Sequence, residues 1–230
     1  MDNRFYFNTI ENDKILIDGG EAQHLCKVRR AQIDDEIMAF NGDGYDYLAR
    51  ISEITKTKVV ADIIEKRTNP AYDNDNIVVY LAMIKNDALA TTIDNLAELN
   101  VKHVKLFKAD YSVAVVDEKK LEKLNNIAIQ ASKQCERADI MKVSIINKKD
   151  IENDAKQIKN IFFAYENSTN PLTKFAGDFA VIIGPEGGFS KQENEYFSSF
   201  AKNISLSKTI LRAEVASVCA VSSLKAVRLC

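Results

Sequence analysis

The sequence predicts an α/β protein: a small β-rich domain followed by a larger domain built on a mainly parallel sheet. Three observations carry that reading. Residues 77–230 alternate β-branched runs with helical periodicity, residues 1–68 hold short strands divided by turn signals, and the polar, proline-containing stretch 69–76 separates the two. Strand–helix alternation implies parallel strands with helices on both faces. The expected organisation is a first domain at 1–68, a linker at 69–76 and a second domain at 77–230.

In the first domain, 4–7 and 14–17 are short β-type runs. Residues 36–40 lead through Asn41-Gly42-Asp43-Gly44 into 45–51, a hairpin signal because Asn-Gly accepts positive φ. A further strand is expected at 58–64. One short helix is expected at 21–30, where Ala22, Leu25 and Cys26 fall at helical spacing after Gly19-Gly20. The second domain reads as strand 77–84, helix 87–99, strand 104–108, helix 117–137, strand 140–146 and helix 149–158. It continues with strands 161–165 and 179–183, helix 191–201, strand 204–206 and a last helix at 212–227. In helix 117–137, Leu121, Leu124, Ala128, Ala131 and Cys135 make one buried stripe. Such sheets place ligands beyond the carboxyl ends of their strands, so chemistry is expected in the loops after Ile84, Tyr165, Ile183 and Leu206.

Composition narrows the function classes. With 46% hydrophobic and 28% charged residues, the chain has material for a packed core. No run reaches the roughly 18 apolar residues of a membrane span, and residues 1–13 mix charge with aromatic groups where a signal peptide needs a basic start and an apolar run. A cytoplasmic protein with no membrane partner is expected. A net charge of −2 excludes indiscriminate binding to polyanions, so a nucleic-acid contact must use a local patch. Cys26, Cys135, Cys219 and Cys230 form no CxxC pair and only His24 and His103 accompany them, so no metal site is expected and the thiols read as reduced.

Glycine is scarce, 8 of 230 residues against a usual ~7%, which makes the window Gly184-Pro185-Glu186-Gly187-Gly188 informative. It follows the apolar strand 179–183 and precedes Ser190 and Glu193, which have capping-box spacing. Glycines there let a ligand approach main-chain N–H and C=O groups without meeting Cβ atoms; a tight strand-to-helix turn is the plainer reading. The window is neither a P-loop nor a dinucleotide fingerprint.

A second constellation runs from Leu206 to Ala216 across another strand end and helix start. Arg212 in the first helical turn opposes the macrodipole, which suggests an anionic partner, a carboxylate or phosphate; an exposed side chain or a pair with Glu214 is the alternative. A third, Lys27, Arg29 and Arg30 beside His24, offers with Arg4 and Arg50 a phosphate-binding face, or simply a solvated one. Lys85 in Lys85-Asn86-Asp87 is either a substrate contact or a loop residue before an Asp87 cap. Arg137, near a helix C-terminus, suits the dipole without any ligand.

At these residues the sequence resembles the RsmE family of the SPOUT superfamily, bacterial enzymes that methylate N3 of a uridine in 16S ribosomal RNA using S-adenosylmethionine. Arg4-Phe5-Tyr6-Phe7 resembles the family's Arg-Phe-Phe opening, His24-Leu25 through Val28-Arg29-Arg30 its HLxxVLR segment, and Glu98-Leu99-Asn100-Val101 its ELGV. Gln134-Cys135-Glu136-Arg137 resembles QSxR, Ile183 to Ser190 matches IGPEGGFS, and Leu211 to Ala216 resembles LRTETA. The glycine string is the specific one.

The resemblance implies a PUA-like RNA-binding β-barrel followed by a methyltransferase domain with a C-terminal trefoil knot that forms a homodimer. It implies a metal-free S-adenosylmethionine site at Tyr165, Glu166, Ile183, Gly184, Pro185, Glu186, Gly187, Gly188, Leu206, Ser207, Ile210 and Leu211. Arg212 and Glu214 are then the catalytic candidates, Arg212 as anion stabiliser and Glu214 or Glu186 for proton handling. RNA contacts are assigned to Arg4, Lys27, Arg29, Arg30, Lys85 and Arg137, with 16S rRNA or the assembled small subunit as partner. Asn100 and Ser207 stand where the family has glycine, and Ala213 and Val215 where it has threonine. The missing hydroxyl groups motivate an alternative, a catalytically weak RNA-binding or regulatory protein of the same fold. A hydrolase using the glycine loop as an oxyanion site is disfavoured because no GxSxG elbow is present.

Overall fold

The computed structural model describes residues 4–72 and 74–229; the other positions, among them Cys230 and Asp73 of the expected linker, lie outside the described residues. Residues 4–72 form one unit together with Ser132–Ile140, and residues 74–131 and 141–229 form the other.

In the first unit, β1 (Arg4–Tyr6), β2 (Thr9–Glu11), β3 (Lys14–Asp18), β4 (Glu36–Phe40), β5 (Tyr45–Ile54) and β6 (Lys58–Thr68) make one six-stranded sheet in the order β1-β4-β5-β6-β3-β2. All neighbours are antiparallel except β1 and β4. Register shifts between β5 and β6, at Leu48/Ala49 and Ile51/Glu53, accommodate extra residues and bend the sheet into a curled half-barrel. Alternate residues, including Phe5, Phe7, Ile15, Ile17, Tyr47, Ala49 and Ile51, fill its inner face. The Asn-Gly hairpin forms as its residues dictate: Gly42 and Gly44 both sit at φ +93°, and Asn41 and Asp43 accept main-chain N–H groups two residues on. The helix expected at 21–30 begins earlier, as α1 (Gly19–Gln23), and passes into a π-helical turn, His24–Val28, that brings the cationic segment out to solvent.

The second unit follows the alternating pattern. In order come β7 (Ile77–Ala82), α2 (Asn86–Glu98), β8 (His103–Phe107), α3 (Glu118–Gln134), β9 (Lys142–Ile145), α4 (Ile151–Ala155), β10 (Asn160–Ala164) and β11 (Phe175–Ala176). Then follow β12 (Phe179–Ile183), α5 (Lys191–Ser198), β13 (Lys202–Ile204), α6 (Ala213–Val227) and β14 (Arg228–Leu229). The main sheet is parallel throughout, ordered β13-β10-β12-β7-β8-β9. β7 and β12 are buried at every position, which is why they read as unbroken apolar runs. Side chains of α2, α3 and α6 cover one face, including Leu89, Ile93, Leu124, Val221 and Leu224, while Ile151, Ala155 and Phe197 of α4 and α5 cover the other.

Asn100, at φ +61° just past α2, takes the left-handed position that ends the helix, with Val101 N–H donating to the Leu96 carbonyl. The small parallel pair β11–β14 escaped the sequence reading because two residues carry no period. No helix among the described residues is long and apolar enough to cross a membrane.

Candidate active site

The carboxyl ends of three adjacent strands, β13, β10 and β12, open into a cavity of about 130 Å³ in the second unit. Of the residues expected to hold a cofactor, Tyr165, Glu166, Ile183, Gly184, Pro185, Gly188, Leu206, Ser207, Ile210 and Leu211 line it. Glu186 and Gly187 do not: Glu186 turns into a neighbouring cleft, and Gly187 is exposed beside Tyr111. Ala164, Phe189, Ile204, Ser205, Lys208, Thr209, Ala213 and Ala216 complete the wall. The strand-end rule points to 164, 204 and 205; the others carry no distinctive residue type.

The glycine loop is both turn and cradle. The Gly188 N–H donates to the Pro185 carbonyl at 2.9 Å, and Gly188 sits at φ +71°, where a side chain would strain the backbone and approach the Glu166 carboxylate at 3.4 Å. A Cβ on Gly184 would lie 2.8 Å from the Phe189 ring, so the close approach of loop to ring requires glycine there. Across the cavity, Ser207 rebuilds order in the 205–212 loop: its Oγ accepts the Thr209 N–H at 3.1 Å and lies 2.9 Å from Thr209 Oγ1.

The exit of the glycine loop is pinned at the start of α5. Ser190 and Glu193 form the reciprocal capping box that their spacing predicts. Glu193, 2% exposed, also accepts from the Asp110 N–H at 2.9 Å and from Lys148 Nζ at 2.6 Å. Lys148 reaches Asp110 Oδ1 as well, at 2.5 Å, and the Ser190 hydroxyl donates to Asp110 Oδ2 at 2.5 Å. The bond from Lys148, with that from Ser190, holds the Asp110 carboxyl below the usual carboxylate range. Burial alone would favour the neutral amine of Lys148, but its two carboxylates outweigh burial and raise its pKa.

A second cleft, about 800 Å³, lies beside the cavity and gathers Lys85, Asn86, Asp87, Val113, Val115, Glu186, Arg212 and Glu214. The first turn of α6 serves both spaces: Ala213 lines the cavity, while Arg212 and Glu214 line the cleft. Arg212 is the N-cap of α6 and Lys85 the N-cap of α2, and neither side chain caps its helix. Both are exposed, and among the described residues neither has an ion-pair partner, Glu214 included. Two cations at the positive ends of helices gain nothing from the helix. The Glu186 carboxylate is engaged, accepting the Lys85 N–H at 3.0 Å.

The first unit separates the remaining basic residues into two groups. Lys27, Arg29 and Arg30 are exposed around the π-helical turn, with Arg30 at φ +53°. Arg4 and Arg137 are corrections to the RNA-contact set, since they are 7% and 3% exposed and their guanidinium groups are spent inside the protein. Arg4 donates to Asp46 and to the Ser132 and Arg137 carbonyls, and lies over the Phe40 ring; Arg137 makes a two-pronged bond to Asp139. Arg4 thereby ties 132–140 to the sheet, while the Arg137–Asp139 pair braces that segment from within.

The family model described as the RNA methyltransferase PUA domain matches residues 17–64, and that of the RNA methyltransferase domain matches 72–225. Fold, cavity and these matches define the class, an RNA methyltransferase with a PUA-like domain. A Rickettsia conorii protein named ribosomal RNA small subunit methyltransferase E is 30% identical over 238 residues, covering 97% of this chain and 95% of that protein. The chain belongs to this family, the RsmE family. Among solved structures, a Neisseria gonorrhoeae protein of that name, bound to S-adenosyl methionine, superposes with TM-score 0.84 at 23% identity over 97% of both chains. A Legionella pneumophila methyltransferase in complex with bound SAM superposes with TM-score 0.81 at 25% identity, covering 98% of this chain and 97% of that one.

Proposed function

We propose that the protein methylates N3 of one uridine in 16S ribosomal RNA of the small subunit, with S-adenosylmethionine as donor. The observation that carries this reading is the pairing of two spaces across the first turn of α6, a backbone-lined cavity on one side and a cationic cleft on the other. The cavity suits an adenosyl group: Ile183, Leu206 and Leu211 offer apolar side chains to the faces of a flat ring, Gly184 and Gly188 form part of the wall, and the Glu166 carboxylate suits hydroxyl or ammonium groups. The donor, when bound, supplies a sulfonium-activated methyl group, so that nitrogen attack forms a C–N bond as the C–S bond breaks.

The chain's own residues govern the acceptor. Uracil N3 carries a proton that must leave before its lone pair can attack. Glu214, half-buried at the cleft, is the group this reading assigns to receive it, with Arg212 to offset the charge left on the ring. N3 lies on the Watson–Crick edge, so the target base enters the cleft unpaired. Lys27, Arg29 and Arg30 contribute phosphate contacts that hold the RNA without reading it. The same reading includes a trefoil-knotted C-terminal part and a homodimer. Support for the homodimer comes from the exposed apolar side chains Val113, Val115, Ile210 and Val215, and light scattering tests it.

Incubation of purified protein with tritiated donor and small-subunit RNA tests the activity. Robust incorporation excludes the alternative of a catalytically weak RNA-binding protein; none removes the enzymatic reading.

A further inference from the structure

The cleft holds a second cation whose position is set by the glycine loop itself. Lys85 leaves the carboxyl end of β7 and its N–H is held by Glu186 at 3.0 Å, so a loop that shapes the donor cavity also fixes the residue on the acceptor side. Arg212 faces the same space from α6. Neither cation is neutralised by a partner among the described residues.

We propose that Lys85 is a catalytic residue, a donor to a uracil carbonyl oxygen that works with Arg212, and that Glu186 is its positioning residue rather than a proton carrier. The proposal rests on the uracil-N3 reading above. When N3–H passes its proton to Glu214, the negative charge spreads over the nitrogen and the two flanking carbonyl oxygens, O2 and O4. Two cationic donors in one cleft match those two oxygens, and each bond strengthens as the charge develops, which lowers the barrier instead of merely tightening binding. Glu186 already accepts the Lys85 main-chain N–H through Oε1, and an amide oxygen would serve that bond equally well.

Single-turnover methylation of small-subunit RNA by Lys85→Met, Lys85→Arg, Glu186→Ala and Glu186→Gln proteins tests the assignment, with donor affinity measured by calorimetry as a check on the fold. The expected result for Lys85→Met is a loss of about 10²-fold in rate at saturating RNA, with RNA and donor affinity within about threefold of wild type and partial rescue by Lys85→Arg. Glu186→Ala should follow Lys85→Met, while Glu186→Gln retains most of the rate. A Lys85→Met protein with unchanged saturated rate, weaker RNA binding and a lower salt slope would make Lys85 a phosphate contact and overturn the catalytic role. Equal damage from Glu186→Gln and Glu186→Ala would overturn the positioning role. Nucleoside analysis of the wild-type product keeps the two readings apart: a methyl group elsewhere than uracil N3 defeats the underlying function, whereas N3-methyluridine with an unaffected Lys85→Met rate defeats this proposal alone.

Discussion

Arg212 and Arg4 show how one residue type serves opposite ends. Arg212 stands exposed at a helix start, its side chain without an ion-pair partner among the described residues, and its substitution by alanine should cost methylation about 10²–10³-fold while leaving thermal stability within about 0.5 kcal/mol. Steady-state rates and melting curves on the same preparations check both halves. Arg4 is spent on Asp46 and two carbonyls, so Arg4→Ala leaves those carbonyls without their donor and the half-buried Asp46 carboxylate with only the Asn69 amide, and should destabilise the first unit by about 3 kcal/mol in urea unfolding. At this scale the sequence was legible where a residue type was scarce or misplaced: the glycines of 184–188 and the cation of Arg212 both stood out. It was not legible for Arg4, because the carbonyls that take up its guanidinium lie 128 and 133 positions away in the chain, nor for Arg137, whose partner Asp139 is two positions on but whose burial no local pattern announces. Nor did it show that Glu186 faces the cleft, a consequence of the turn's geometry rather than its composition.

Elements were more readable than their roles. Unbroken apolar runs marked the central strands, the capping-box spacing marked the start of α5, and Asn100 took the left-handed cap that its side chain tolerates. Hidden from view was the network beyond the cap, in which Asp110 and Lys148 arrive from other loops to fix Ser190 and Glu193. That network has a pH signature. A carboxyl whose folded pKa lies below its unfolded value stabilises the fold above about pH 4, and the contribution fades as pH falls through the lowered value. Asp110→Asn should therefore melt at a lower temperature than wild type at pH 7, and the two curves should converge in acid below about pH 4. A gap that stays constant down to pH 3 would deny the ionised Asp110 its part.

At the scale of the whole molecule, a net charge of −2 and a local group of exposed cations predict binding that is electrostatic but confined. Replacing Lys27, Arg29 and Arg30 together by alanine should weaken RNA binding across sequences and flatten its salt dependence by about one unit of slope per lost phosphate contact, with donor affinity unchanged. Titrations at several salt concentrations read both numbers. The division into a β-rich part and an alternating part was visible from the change of period. The placement of Ser132–Ile140 with the first unit was not, because nothing in a local pattern says which core a connecting segment will join.

The central claim is that this chain places one methyl group on N3 of a small-subunit uridine. Mass-spectrometric mapping of 16S ribosomal RNA from cells with and without the protein tests it most directly. The account predicts the loss of a single N3-methyluridine on deletion, restored by wild-type protein and not by Arg212→Ala. Ribosomal RNA from the deletion strain with every N3-methyluridine still in place would contradict it.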